Sequence, residues 1–408
     1  MNTAVTGGGQ PVKTRYLFMA NGMYYICVAL YSPFLSAFFS SRGMSAGQIG
    51  ILAAVAPVAS LLIQPIWARI SDRSGKRRIV IQILCIGCAA ALLLFTRSFT
   101  FATIFMSLVA YGFFFCAMLP LTDALVVHTA QEQGVRFSLI RLCGTLSYAA
   151  VVFPVGFLIK GNYNLLFYMN ALCYLFTVYI YLHFKSTDHI PEKEPGTGEK
   201  LWRKHQKMTK AGPLFHSKEI VGVLILAFGM QLGLMFNGSF MGVYLLQKGH
   251  DASILGVLNC ISALSEVPIL LFSDKLMKKF SATQLLFLSV FASITRLLLT
   301  SSGLIPLIMI GQMLQGPSYM VCYMTCVLFI SRNVDEDRIS EGQGILTFVQ
   351  AGLGAITGNL LGGFLAEHFG IQMSYYCMAG FLTLLTVIVF VMNRMHARTA
   401  GKIDKSAV

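Results

Sequence analysis

The chain has 408 residues, of which 56% are hydrophobic and 12% charged, and its formal net charge is +14. Soluble domains carry roughly 25% charged residues, so composition alone excludes an ordinary soluble enzyme. Apolar runs of about twenty residues recur along almost the whole length, each long enough to cross a bilayer as a helix.

In chain order the predicted spans are 15–40, 47–69, 79–96, 100–129, 136–159, 163–184, 218–247, 251–273, 281–301, 304–331, 340–368 and 372–394. They are helices, because lipid offers no partner to an unpaired backbone group. The alternating ten-residue segments of a membrane β-barrel are absent from the sequence. The expected fold is an all-α membrane protein of twelve transmembrane helices in two six-helix bundles with both termini cytoplasmic.

The placement of basic residues supports that topology. With the termini inside, 25 Lys and Arg fall on the cytoplasmic side and four outside, Arg42, Arg97, Lys160 and Lys248. Two more, Arg141 and Arg296, lie within spans. This is the positive-inside distribution, so the basic excess is topological and nucleic acid is not an expected partner. The first apolar run is too long for a cleavable signal peptide. All ten cysteines fall within spans and read as small apolar packing residues, and the Cys85/Cys88 and Cys322/Cys326 pairs lack the further ligands of a metal site. No cofactor is expected.

The expected units are an N-terminal bundle over 1–184, a cytoplasmic linker over 185–217, and a C-terminal bundle with a short cytoplasmic tail over 218–408. The linker is rich in Lys, Glu, Pro and Gly and too polar to enter a membrane. The halves echo each other. ARISDRSGKRR (68–78) follows the second span and LFSDKLMKKF (271–280) the eighth, while SAGQIGIL (45–52) parallels ASILGVL (252–258). Repetition at half-chain spacing marks a transporter built from two related bundles.

Six plus six spans, a central basic loop and the DRxGKRR-type loop resemble the major facilitator superfamily over about 15–395. That family's loop reads Gly-x-x-x-Asp-x-x-Gly-x-Arg/Lys; Asp72, Gly75 and Arg77 match it, and Ala68 replaces the opening Gly. The resemblance implies alternating access, with Asp72, Gly75, Arg77 and, in the repeat, Asp274 serving as gating residues.

Four ionisable residues lie deep in the spans: Asp123, Arg141, Glu266 and Arg296. A charge in hydrocarbon costs at least ~2.5–3.5 kcal/mol, so such residues mark pathways. Asp123 and Arg141 are each nine residues from the turn centred on Glu132, and Glu266 and Arg296 each fifteen from Ser281. Each acid thus shares a level with a base and can pair with it. A purely static role is the alternative, although buried pairs are poor stabilisers.

Within the superfamily the arrangement is similar to the lactose permease and its nucleoside and phenylpropionate relatives. That resemblance implies substrate-binding roles for Asp123, Arg141 and Glu266, with Arg296 and Gln315 beside them, and places Tyr148 where a Trp stacks on sugar. In helix 10, GQMLQGPSYM (311–320), Gln315 and Ser318 stand where relatives carry a His and an acid. Neither titrates in the physiological range, so proton coupling would fall to Glu266 or Asp123. Asn21, Tyr25, Gln231, Asn237, Asn259, Gln312, Gln350 and Asn359 are further polar candidates, each also consistent with an interhelical hydrogen bond of about 0.6 kcal/mol. Gly354, Gly358 and Gly362 form a stripe suited to close helix packing.

The expected function is proton-coupled import of a small polar organic solute through the cytoplasmic membrane, saccharides first and nucleosides second, by a monomer. Aromatic-acid permeation and drug or metabolite export are the alternatives. The expected partners are the solute, protons and the lipid bilayer. A Walker loop is absent from the sequence, and His128, His183 and His368 sit at span ends away from any nucleophile, so an enzyme is not expected.

Overall fold

The computed structural model describes residues 14–159, 161–183, 218–335 and 338–406, without the side chains of 138, 218, 274 and 393–406. The expected linker, 185–217, lies outside the described residues. Among the described residues all regular structure is helical, and eleven runs are long and apolar enough to cross a membrane. They are α1 (Thr14–Ser41), α2 (Ala46–Ser74), α3 (Arg77–Phe95), α4 (Phe101–Glu132), α5 (Phe137–Ile159), α6 (Tyr163–His183), α7 (Lys218–Gln247), α8 (Ala252–Lys279), α9 (Ala282–Ser301), α10 (Ile305–Asn333) and α11 (Ile339–Met392).

The count differs from the twelve expected because the last two spans join in one run of 54 residues. Straight, it would measure about 80 Å, more than twice the ~30 Å hydrocarbon core. Gly370 interrupts it at φ 80°, ψ 157°, a conformation that L side chains rarely adopt. The chain therefore changes direction there, two residues beyond the predicted end of the eleventh span.

Helix starts follow local sequence. Ser45 and Gln48 form a capping box on α2, Ser281 and Gln284 another on α9, and Asp251 caps α8 by accepting from Ser253 N at 3.0 Å. Large apolar side chains such as Phe291, 70% exposed, and Leu172 cover the outside, as expected of surfaces that face lipid. Inside the first six helices Tyr31, Phe38, Phe95, Tyr111 and Phe167 make an aromatic core, tied by a 2.9 Å hydrogen bond between the Tyr111 and Tyr174 hydroxyls.

The two most extensive contacts between the halves are made by α2 and α5, while the end of α1 also packs on α7 and α8. α2 packs on α11, and α5 packs on α8. A Cβ at Gly50 would stand 2.6 Å from the Asn359 carbonyl oxygen, and one at Gly256 2.7 Å from that of Val152. At both points backbone meets backbone, Gly50 against Gly363 and Gly256 against Gly156. Two hydrogen bonds span the first contact: Gly47 N donates to Glu367 Oε2 at 3.0 Å and Asn359 Nδ2 to the Ala53 carbonyl at 3.2 Å. Gly50 and Gly256 occupy matching places in the repeated segments 45–52 and 252–258, so the repeat read in the sequence is also a repeat of contacts. The glycine stripe of α11 packs on α7, with Gly358 against the Leu232 backbone and Gly362 against Phe236.

Candidate functional site

A cavity of about 400 Å³ lies between α1, α5, α7, α8, α9 and α10. Its polar wall is contributed by Tyr25, Tyr148, Asn259, Glu266, Arg296, Gln312, Gln315 and Tyr319, and its apolar wall by Val28, Leu234, Met235, Met241 and Leu255.

The key geometry begins in α10. Pro317 has no N–H to donate to residue 313, and the α-helical ladder gives way to a π segment over Gly316–Met320. Gly316 lies so close to α8 that a Cβ there would be 2.2 Å from the Ser265 carbonyl oxygen, and its N–H donates to Ser265 Oγ at 3.0 Å. This approach sets Gln315 opposite Glu266, the residue after Ser265. Gln315 Nε2 donates to Glu266 Oε1 at 3.2 Å, while Gln315 Oε1 accepts from Arg296 Nη1. Arg296 Nη2 donates to Gln312 Oε1 at 2.8 Å, and Gln312 Nε2 approaches Met241 Sδ at 3.2 Å.

The direct pairing that a shared level allows is therefore not made. Glu266 and Arg296 share a level, but Gln315 stands between them as an amide bridge. Asp123 and Arg141 also fail to meet within ion-pair distance. Arg141 lies over the Tyr25 ring at 4.9 Å, and Asp123 Oδ1 is buried without a hydrogen-bond partner. Depth along a helix fixes level, not direction around the axis, and here the direction differs. Gly144 explains part of it. A Cβ at that position would sit 2.4 Å from the Tyr25 ring and 2.5 Å from Asn21 Oδ1, so α1 presses against α5 below Arg141.

The structure thus brings Tyr148, Glu266, Arg296 and Gln315 to one cavity and leaves Asp123 and Arg141 outside its lining, although Arg141 acts electrostatically on both acids. Ser318 bonds back to the Gln315 carbonyl at 3.2 Å and holds the π turn. Asn237 is engaged by the Tyr375 hydroxyl at 3.1 Å. Tyr319, Met241 and Ser262 also line the cavity, and the sequence did not single them out; Tyr319 lies within the π segment.

The gating candidates cluster at the end of α2. Gly75, at φ 65°, ends the helix, and Asp72 Oδ1 accepts from Arg77 Nη2 at 3.2 Å. The backbone of Asp274 continues α8, but its side chain lies outside the described residues.

A membrane-embedded helical bundle joined by glycine contacts around a polar cavity is the architecture of a solute transporter. The family model described as MFS_1 like family matches residues 13–377, and the chain belongs to that family of the major facilitator superfamily. It is 25% identical to the maltose permease of Geobacillus stearothermophilus over 98% of this chain and 100% of the relative. It is 22% identical to the probable 3-phenylpropionic acid transporter of Escherichia coli (strain K12), over 88% and 92% respectively. Among solved structures, the fold is similar to that of nucleoside transporter NupG, with TM-score 0.78 at 17% identity over 93% of this chain and 98% of that one.

Proposed function

We propose that the protein is a secondary active transporter of the cytoplasmic membrane that imports a small, uncharged polar solute together with protons. Saccharides come first and nucleosides second. In this reading the chain crosses the membrane twelve times with both termini inside, acts as a monomer without a cofactor, and comprises bundles 1–184 and 218–408 joined by a cytoplasmic linker. The glycine contacts then lie at the outer end, so the described state is closed to the outside.

The observation that carries this reading is the lining of the cavity. Its volume suits a small organic molecule, and its polar groups are hydroxyls, amides and one carboxylate, Glu266. The Arg296 guanidinium borders the cavity but has both terminal nitrogens engaged by amide oxygens. That disfavours a carboxylate-bearing solute and supports hydroxyl-rich ones, with Tyr148 and Tyr319 offering faces for sugar or base. Glu266 is the one acid in the lining and is the proposed proton carrier, with Asp123 held in reserve. Asp72, Gly75, Arg77 and Asp274 are proposed to latch the inner ends.

The test is uptake into proteoliposomes under an imposed pH gradient, using labelled maltose, uridine and 3-phenylpropionate. Uphill accumulation of the first or second, but not the third, is expected. Glu266→Gln should abolish accumulation and retain counterflow exchange. Full pH-driven accumulation by that variant would remove Glu266 from coupling.

A further inference from the structure

Gln312 and Gln315 stand three residues apart on α10, and both turn their carbonyl oxygens onto Arg296 of α9. A guanidinium only donates, so it fixes the orientation of both amides. Gln315 Nε2 is left to face Glu266 and Gln312 Nε2 to face Met241. An arginine kept merely to neutralise Glu266 would meet it directly through two parallel hydrogen bonds, the favoured geometry for that pair. Here two neutral amides stand between the cation and the acid, and Arg296 is itself among the lining residues of the cavity. Arg296 Nε has no partner, and the side chain is buried at 6% exposure.

We propose that Gln312 and Gln315 are specificity-determining residues that mask Arg296, making a cavity that contains a cation unreceptive to carboxylates. An anion that pairs with both Nη atoms of the wild-type protein must displace both amides while facing Glu266 on the same wall. With the amides removed, the guanidinium presents free Nη donors to the cavity in the planar arrangement that a carboxylate matches. The inference rests on reading the cavity as the solute site and adds the residues that decide solute charge.

The experiment compares acetate with acetamide, its uncharged near-isostere, as probes of the full-length purified protein. Thermal unfolding is followed at matched ionic strength, because a ligand of the folded state stabilises it by RT ln(1 + [L]/Kd) and so raises the melting temperature more at a given concentration the tighter it binds. Wild type should respond equally weakly to both. The double variant Gln312→Ala/Gln315→Ala should melt lower and be restored by acetate at a concentration at least tenfold below that of acetamide. Equal restoration by the two probes, or none by acetate, would overturn the mask. Should the double variant not fold, Gln312→Ala frees Nη2 alone and must show the same preference. Gln315→Glu, which supplies a resident carboxylate, must not show it. If wild type transports no neutral solute yet the variants prefer acetate, the solute class fails and the mask stands. The reverse pattern sinks the mask and leaves the class intact.

Discussion

Adding a single methyl group at each of Gly50 and Gly256 should open the end of the molecule that these residues close. A Cβ at 50 would lie 2.6 Å from the Asn359 carbonyl oxygen and 2.8 Å from Gly363 Cα, and one at 256 would lie 2.7 Å from the Val152 oxygen. Ordinary contact begins at 3.4 Å, so α2 and α11 must part by about 0.8 Å, and α5 and α8 by about 0.7 Å. The opposing atoms are backbone and cannot rotate aside. Overpacking of this kind costs about 1–3 kcal/mol per site, which moves an equilibrium roughly 5- to 150-fold. In the proposed alternating-access cycle the cost falls on the outward-closed state, where these contacts are made, and the two sites share no partner and should add. Ser262→Cys supplies a reporter, since Ser262 lines the cavity and no described lining residue is a native cysteine. In intact cells, adding Gly50→Ala/Gly256→Ala to that reporter should raise the rate at which a membrane-impermeant maleimide labels the introduced thiol at least about tenfold. A rate unchanged from the parent would refute the idea that these backbone contacts hold the end shut.

Three further outcomes follow from the geometry. Gly316→Ala places a Cβ 2.2 Å from the Ser265 oxygen; it should cost about 1–3 kcal/mol of stability and weaken solute binding by displacing Gln315, both read by thermal unfolding with and without solute. Asp123→Asn and Arg141→Gln, whose side chains interact electrostatically without forming an ion pair, should couple by about 0.5–1 kcal/mol in a double-mutant cycle, the low end of the range for interacting residues; a coupling of about 3 kcal/mol would show that they meet during transport. Asp72→Ala removes the 3.2 Å contact to Arg77 and should reduce transport with binding retained, and cytoplasmic cysteine accessibility identical to wild type would count against a latch.

Much of the helical architecture was legible because hydrophobic run length is set by the bilayer and survives any detail of packing. The break near Gly370 was also legible, since 340–368 and 372–394 each fit one crossing, but that the single residue Gly370 makes the change of direction was not. The site was legible in part. Glu266 and Arg296 stand out as charges in apolar runs, while Tyr148 and Gln315 stand out through their family positions. Their connectivity was hidden, because it depends on the π segment at Gly316–Met320, which rotates the residues around it relative to a regular helix. Pro317 signals a disturbance there, yet nothing in GPSYM says which side chains the disturbance turns inward. The lack of an ion pair between Asp123 and Arg141 was hidden in the same way, because pairing needs azimuth as well as level.

The closing surface also sets how easily the molecule reverses. Where Gly50 meets Gly363 and Gly156 meets Gly256, the nearest atoms across the crossing are backbone, so no side chain has to rotate out of a socket before the helices part there. The bonds between Gly47 and Glu367 and between Asn359 and Ala53 pass to water at a net cost of about 0.5–1.5 kcal/mol each. Interlocked leucines at the same crossings would have to change rotamer before the helices could separate. Bare backbone at the joint therefore lets it part and re-form without side-chain rearrangement.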